Sequence, residues 1–398
     1  MLNLKEILNA KIHFALINGI ISILTQVLLY KFYDAKIVSS LFFVFLIANY
    51  VGLVPNINSS LTTENSNKCS YGQLLKSTII ISLLLSSSAA FFLLVEKIPF
   101  SLFSIFLFLG FKNVEGILRQ GLLVNGIIHY DFTANVILSI TKIFSLILLI
   151  YIRLDLYYYL YLIAIFQVLY VSYQWLLLKR FNTELNLSFN SGVSFFKLFI
   201  KSKSVYINYA LYSLIGAVDK FILKNSSDVS FVFLTIITTY LGYLTIFSQQ
   251  LIQSKTTFFH KLEDIEFTHF RINYFEQLKK IIFLITIFFV FFSPLYLYLF
   301  FNISVNFSYS FVIILLALSN YYNLLTQILN NFLYRKGLYD IQMRSTIFAA
   351  PIVLLNLFSD LIGALLVCSL VSFFTNIIYF HYSKYKLNGS NILCPNIQ

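Results

Sequence analysis

Charge is scarce in this sequence. Only 11% of its 398 residues are Asp, Glu, Lys or Arg, against about 25% in a typical soluble chain. Hydrophobic residues make up 59% and the mean hydropathy is +0.82. A water-soluble fold would have too little polar surface to cover so much apolar side chain, which excludes that class. Lipid as solvent removes the difficulty, because apolar groups can then face outward.

Cysteine is equally sparse. Cys69, Cys368 and Cys394 are odd in number and far apart, so they support neither a disulfide framework nor a zinc site. Catalytic signatures are missing as well. The chain has no G-x-x-x-x-G-K-[ST] phosphate loop, H-E-x-x-H zinc helix, G-x-S-x-G elbow or G-x-G-x-x-G fingerprint. Its five histidines are dispersed; His260 and His269 have no Cys or acidic companions at metal spacing. The expectation is a protein with no catalytic residues, no metal site and no bound cofactor. Without an ATP-binding loop, uphill transport would draw on a proton or sodium gradient or on a partner.

What the sequence does have is long apolar runs. A helix needs roughly 20 apolar residues to cross the hydrocarbon layer. Segmentation on that basis predicts an all-α integral membrane protein of about twelve spans. They cover 12–30, 39–58, 74–95, 98–120, 132–151, 156–178, 203–223, 229–252, 280–300, 308–333, 341–358 and 361–381. Lys5 and Lys11 precede the first run, which is long for a signal core and has no small-x-small site after it, so it reads as an uncleaved span. Only Asp360 and Gly363 separate the last two runs, and Pro351 is expected to kink the eleventh. The 28 Tyr suit headgroup boundaries.

Charge placement orients the spans. With a cytoplasmic amino terminus, 20 of the 28 Lys and Arg fall on inner connections. Lys31, Lys36, Lys97, Arg153, Lys220 and Lys224 fall outside, and Lys112 and Lys142 lie within spans. The positive-inside rule then places both termini in the cytoplasm. Since the basic residues flank membrane spans, the net charge of +12 reads as contact with anionic membrane lipids, and no nucleic-acid partner is expected.

The long basic connection 179–202 divides the chain into lobes at 1–178 and 203–386, followed by a cytoplasmic tail at 387–398. Features recur about 190 residues apart. Lys31-Phe32 matches Lys220-Phe221, and the Tyr50-Val51-Gly52 run matches Tyr240-Leu241-Gly242. Tyr130-Asp131 matches Tyr339-Asp340 after the longer inner connection 253–279. This predicts two six-helix lobes related by a parallel pseudo-two-fold repeat, one established way to build a transporter.

Charges inside spans mark candidate function, because a Lys or Arg at a span centre costs roughly 2.5–3.5 kcal/mol on insertion scales. Helix four holds Lys112, Glu115 and Arg119 at i, i+3 and i+7 on one face. Glu115 and Arg119 also have the favourable i,i+4 order and could simply neutralise each other. Lys142 lies toward the middle of helix five with no acidic residue one turn away, which makes it the leading candidate. Asp219 and Lys220 sit near the outer end of helix seven, and Lys31 near that of helix one, where a lysine can also snorkel to headgroups. Together these residues predict a net-cationic cavity between the lobes that takes a phosphate-bearing substrate.

Several local features carry a family resemblance. The first helix ends in Leu28-Leu29-Tyr30-Lys31-Phe32, and the seventh in Val218-Asp219-Lys220-Phe221-Ile222-Leu223. The fourth and tenth run into basic inner turns at Arg119 and at Arg335-Lys336-Gly337. With length, span number and two-lobe layout, these features resemble polysaccharide-export flippases of the Wzx type. That family lies within the multidrug/oligosaccharidyl-lipid/polysaccharide superfamily. Lys220 stands where the family tends to have Arg, which keeps the charge but loses bidentate phosphate geometry. The resemblance implies translocation of an oligosaccharide on undecaprenyl diphosphate, an O-antigen or capsule repeat unit, across the bacterial cell inner membrane. It also implies a polysaccharide polymerase and a chain-length regulator as partners. The rival readings are an O-antigen polymerase, which usually carries a large outer loop, and a drug/cation exchanger of the same superfamily.

Overall fold

The computed structural model describes residues 4–64, 71–124, 128–181, 203–259, 264–335 and 340–389. The described chain is nearly all helical. The amino-terminal half forms α1 (Leu4–Phe32), α2 (Ala35–Glu64), α3 (Tyr71–Val95), α4 (Leu102–Val124), α5 (Ile128–Tyr151) and α6 (Tyr157–Phe181). The carboxy-terminal half forms α7 (Lys203–Ser226), α8 (Asp228–Phe259), α9 (Asp264–Phe301), α10 (Phe307–Arg335), α11 (Asp340–Ala349) and α12 (Ala364–Gly389). Most of the connection 179–202 and of the tail 387–398 lies outside the described residues.

Side-chain caps start several of these helices. The Asp34 carboxylate accepts the Lys36 N–H at 2.7 Å before α2, and the Asn306 side chain accepts the Tyr309 N–H at 2.9 Å before α10. Ser101 Oγ and Ser227 Oγ, before α4 and α8, each accept a backbone N–H at 3.2 Å. Each satisfies an amide that the first helical turn leaves unpaired.

Six helical segments among the described residues are long and apolar enough to cross a membrane, and four shorter apolar stretches accompany them. Their outer faces are greasy. On α9, Leu284, Phe288, Phe291, Leu295 and Tyr298 repeat at helical spacing and are exposed, while Ile282, Phe289, Ser293 and Leu297 on the other side are fully buried. In water such a stripe would be an aggregation hazard; in lipid it is the solvent-facing surface. The protein is a multi-pass membrane protein.

Two units emerge from the contacts. One comprises Ile17–Tyr209; the other comprises Ala210–Gln398 with Met1–Leu16. In the first, α4 packs against α2, α3, α5 and α6, and Leu118, Leu122, Val171, Leu177 and Leu178 form an apolar cluster between α4 and α6. In the second, α10 is central, packed against α8, α9 and α12. Leu324, Leu325, Ile328 and Leu329 of α10 meet Ile282 of α9 and Phe380 of α12 there.

Two departures from the segmentation stand out. The connection expected at 253–279 is mostly helix, since α8 runs to Phe259 and α9 starts at Asp264. Hydropathy stops where Gln, Lys and Glu begin, but these are good helix formers and the backbone ladder continues through them. Pro351 does more than kink its helix. It opens a 3₁₀ segment, Ala350–Phe358, beyond α11, because its ring nitrogen has no hydrogen to donate. A last turn, Ser359–Ile362, then stops at Gly363, whose φ of 96° favours glycine, and α12 begins.

Candidate functional site

The first unit gathers most of its in-span charges where α4, α5 and α6 converge. Lys112 Nζ lies 2.6 Å from Glu115 Oε2, one turn along α4. Gln167 of α6 donates its Nε2 hydrogen to the same oxygen at 2.7 Å. Glu115 is buried, whereas the Lys112 side chain is 38% exposed and keeps two of its three ammonium hydrogens for another partner. Lys142 of α5 is half-buried within Coulombic reach of both Lys112 and Glu115. Among the described residues it makes no hydrogen bond or ion pair.

A second cluster lies further along the same helices. Arg119 Nε is 3.1 Å from Asp131 Oδ2, and the guanidinium also lies over the Phe132 ring. Asp131 is fully buried. Its Oδ1 accepts hydrogen bonds from Tyr170 at 2.7 Å and from Gln174 at 2.6 Å, both on α6. Nearby, Asn113 of α4 donates to Ser86 of α3 at 3.0 Å inside the core. Each carboxylate is therefore held by a cation from α4 and by side chains from α6.

The predicted residues thus sort into groups. Lys112, Glu115 and Lys142 come together, and Arg119 turns to Asp131 rather than neutralising Glu115. Lys31 stands exposed in the last turn of α1. Asp219 and Lys220 belong to the second unit. There the buried Asp219 carboxylate accepts a hydrogen bond from the Cys368 thiol of α12 at 3.1 Å, and Lys220 Nζ lies 3.6 Å away. The same ammonium donates to the Gly216 carbonyl at 2.8 Å.

Sequence reading missed Asp131, Gln167, Tyr170, Gln174 and Cys368. One signal was present: Gln167, Tyr170 and Gln174 share the i, i+3, i+7 spacing of Lys112, Glu115 and Arg119, so each helix shows the other a matching polar face. Asp131 was legible only as a repeat marker at a span edge, whereas it lies inside the first turn of α5.

Chemically, the α4–α5–α6 site sets three cations against two carboxylates, with one ammonium uncommitted and another half-exposed. It suits an anionic group with several oxygens, such as a phosphate. Among the described residues no group of three or more His, Cys, Asp or Glu could hold a metal ion.

The sequence matches no family model and no curated protein. Solved structures do resemble the chain. A lipid II flippase, MurJ, in an inward closed conformation has a TM-score of 0.68 at 13% identity, covering 95% of this chain and 87% of that one. An inward-facing multidrug resistance transporter of the MATE family, in the MOP superfamily, has a TM-score of 0.65 at 11% identity, covering 96% and 98%. A MATE protein in complex with MaL6 has a TM-score of 0.62 at 14% identity, covering 96% of each chain. At such identities it is the fold that is shared, and the chain has the two-lobed helical transporter fold of MurJ and the MATE proteins.

Proposed function

We infer that this protein is a flippase for a lipid-linked oligosaccharide. It carries an undecaprenyl-diphosphate-linked O-antigen or capsule repeat unit from the inner to the outer leaflet of the bacterial inner membrane, with both termini in the cytoplasm. The observation that carries this reading is Lys142. It is a half-buried ammonium in a membrane span that makes no hydrogen bond or ion pair among the described residues, since the nearby Glu115 carboxylate is held by Lys112 and Gln167. A cation at that depth without a contact partner is costly, and an anionic substrate is the partner that would repay burying it. Lys112 supplies further donors beside it, and Glu115 limits the local excess of positive charge. The fold shared with a lipid II flippase supports the same reading. Coupling to a proton or sodium gradient would drive the step, and a polymerase with its chain-length regulator would consume the product.

A drug/cation exchanger is the second reading, favoured by the MATE-like fold and by the buried Asp219 carboxylate. Deleting the gene in its native strain separates the two. Single lipid-linked units accumulating on the cytoplasmic leaflet support the flippase. Normal surface polysaccharide with altered drug tolerance supports the exchanger. Units that reach the outer surface but stay unpolymerised would instead identify a polymerase.

A further inference from the structure

The second unit carries a polar feature of a different kind. Asn320, Asn323, Gln327 and Asn330 of α10 follow one another at i, i+3, i+7 and i+10. At 100° per residue they lie within an arc of about 80°. Earlier on the same face the helix shows Ile313 and Leu316, both buried and apolar. The face therefore changes from hydrocarbon to carboxamide about halfway along the span, and no Asp, Glu, Lys or Arg interrupts 307–334.

Among the described residues, only Asn330 of these four amides takes part in a hydrogen bond. The α10–α12 seam runs beside them, where Asn376 of α12 donates to Ser319 at 2.9 Å and Ser383 donates weakly to Asn330 at 3.4 Å. That seam engages one edge of the stripe. Asn320, Asn323 and Gln327 are half-buried and, among the described residues, make no hydrogen bond. An unpaired amide facing lipid is unfavourable, so a run of three on one face of a span belongs against water or a polar ligand. Each carboxamide offers two donors and one acceptor oxygen without net charge, which matches the mixed donor–acceptor character of sugar hydroxyls.

We propose that Asn320, Asn323 and Gln327 form a neutral subsite that recognises the uncharged, hydroxyl-rich part of the substrate glycan. This rests on the flippase reading, in which the substrate carries an uncharged glycan as well as its phosphates. Neutral hydrogen bonds discriminate by geometry while leaving the ligand free to depart, which a carrier requires.

The test uses the full-length protein in nanodiscs and two probes. One is undecaprenyl diphosphate; the other is the same lipid bearing a neutral hexose–N-acetylhexosamine disaccharide. The variants are Asn320→Leu/Asn323→Leu/Gln327→Met, which nearly conserves volume, and the single Asn323→Leu in case the triple variant does not fold. The wild type is expected to bind the glycosylated probe more tightly. The triple variant should lose about tenfold or more of that affinity, and Asn323→Leu a few-fold, while binding to the bare lipid diphosphate stays within twofold. Unchanged affinity for the glycosylated probe would overturn the subsite and leave the flippase reading standing. Equal losses for both probes would mark the amides as structural and also overturn it. Failure of the wild type to bind either lipid would remove the flippase reading and the subsite with it.

Discussion

Arg119 and Asp131 meet at 3.1 Å across the connection between α4 and α5, joining a guanidinium that is 39% exposed to a carboxylate with no exposure at all. Twelve residues apart in sequence, they lock the end of one span to the start of the next, and Tyr170 and Gln174 extend the lock to α6. The pairing is asymmetric: Arg119 can be hydrated when freed, but Asp131 cannot.

That asymmetry sets the first expected outcome. Arg119→Met leaves a buried carboxylate held only by neutral donors. A fully buried pair broken in this way costs ~3–5 kcal/mol, and the partial exposure of Arg119 reduces the loss to about 2 kcal/mol. Adding Asp131→Asn removes the stranded charge and should recover most of the loss. Thermal unfolding of the detergent-solubilised protein across this double-mutant cycle reads the coupling, and additive losses would show that the two residues do not act as a pair.

Lys142→Ala should abolish export while the protein still reaches the membrane at normal levels. Lys142→Arg keeps the charge and should retain partial export. Surface polysaccharide and membrane-fraction immunoblots measure the two quantities. Full complementation by the alanine variant would take Lys142 out of the substrate site.

Cys368 is 1% exposed and its thiol is directed at Asp219. In a Cys69→Ser/Cys394→Ser background, it should resist maleimide labelling in native membranes and react fully after denaturation in SDS. Rapid labelling in membranes would place an aqueous path beside α7 and α12 instead.

Gly363→Ala probes the break before α12. A Cβ there meets nothing within 4 Å, so any cost comes from the backbone, where a φ of 96° disfavours a side chain. The expected destabilisation is about 1–3 kcal/mol, measured as a lowered unfolding midpoint. No change would mean that the connection relaxes to another conformation without penalty.

Much of the architecture is legible along the chain. Apolar runs of span length mark most of the helices, and Gly363 marks the break before α12. Local windows fail where helix outlasts apolarity, as at the end of α8 and the start of α9. They also miss the 3₁₀ segment after Pro351, because hydropathy carries no information about hydrogen-bond register.

The sequence alone determined that this is a helical membrane protein, and it set cations within the apolar runs that became α4 and α5. Those conclusions depend on each residue's own transfer free energy, a local quantity. Only the tertiary structure decided which charges are in contact: Glu115 with Lys112, Asp131 with Arg119, and Lys142 with no ion-pair partner among the described residues. Pairing requires two side chains to converge within a few ångströms, and that depends on which helix faces pack together. Helical spacing brings Lys112 and Glu115 together within α4; it is the packing of α6 and α5 against that face that gives Glu115 its Gln167 and Arg119 its Asp131.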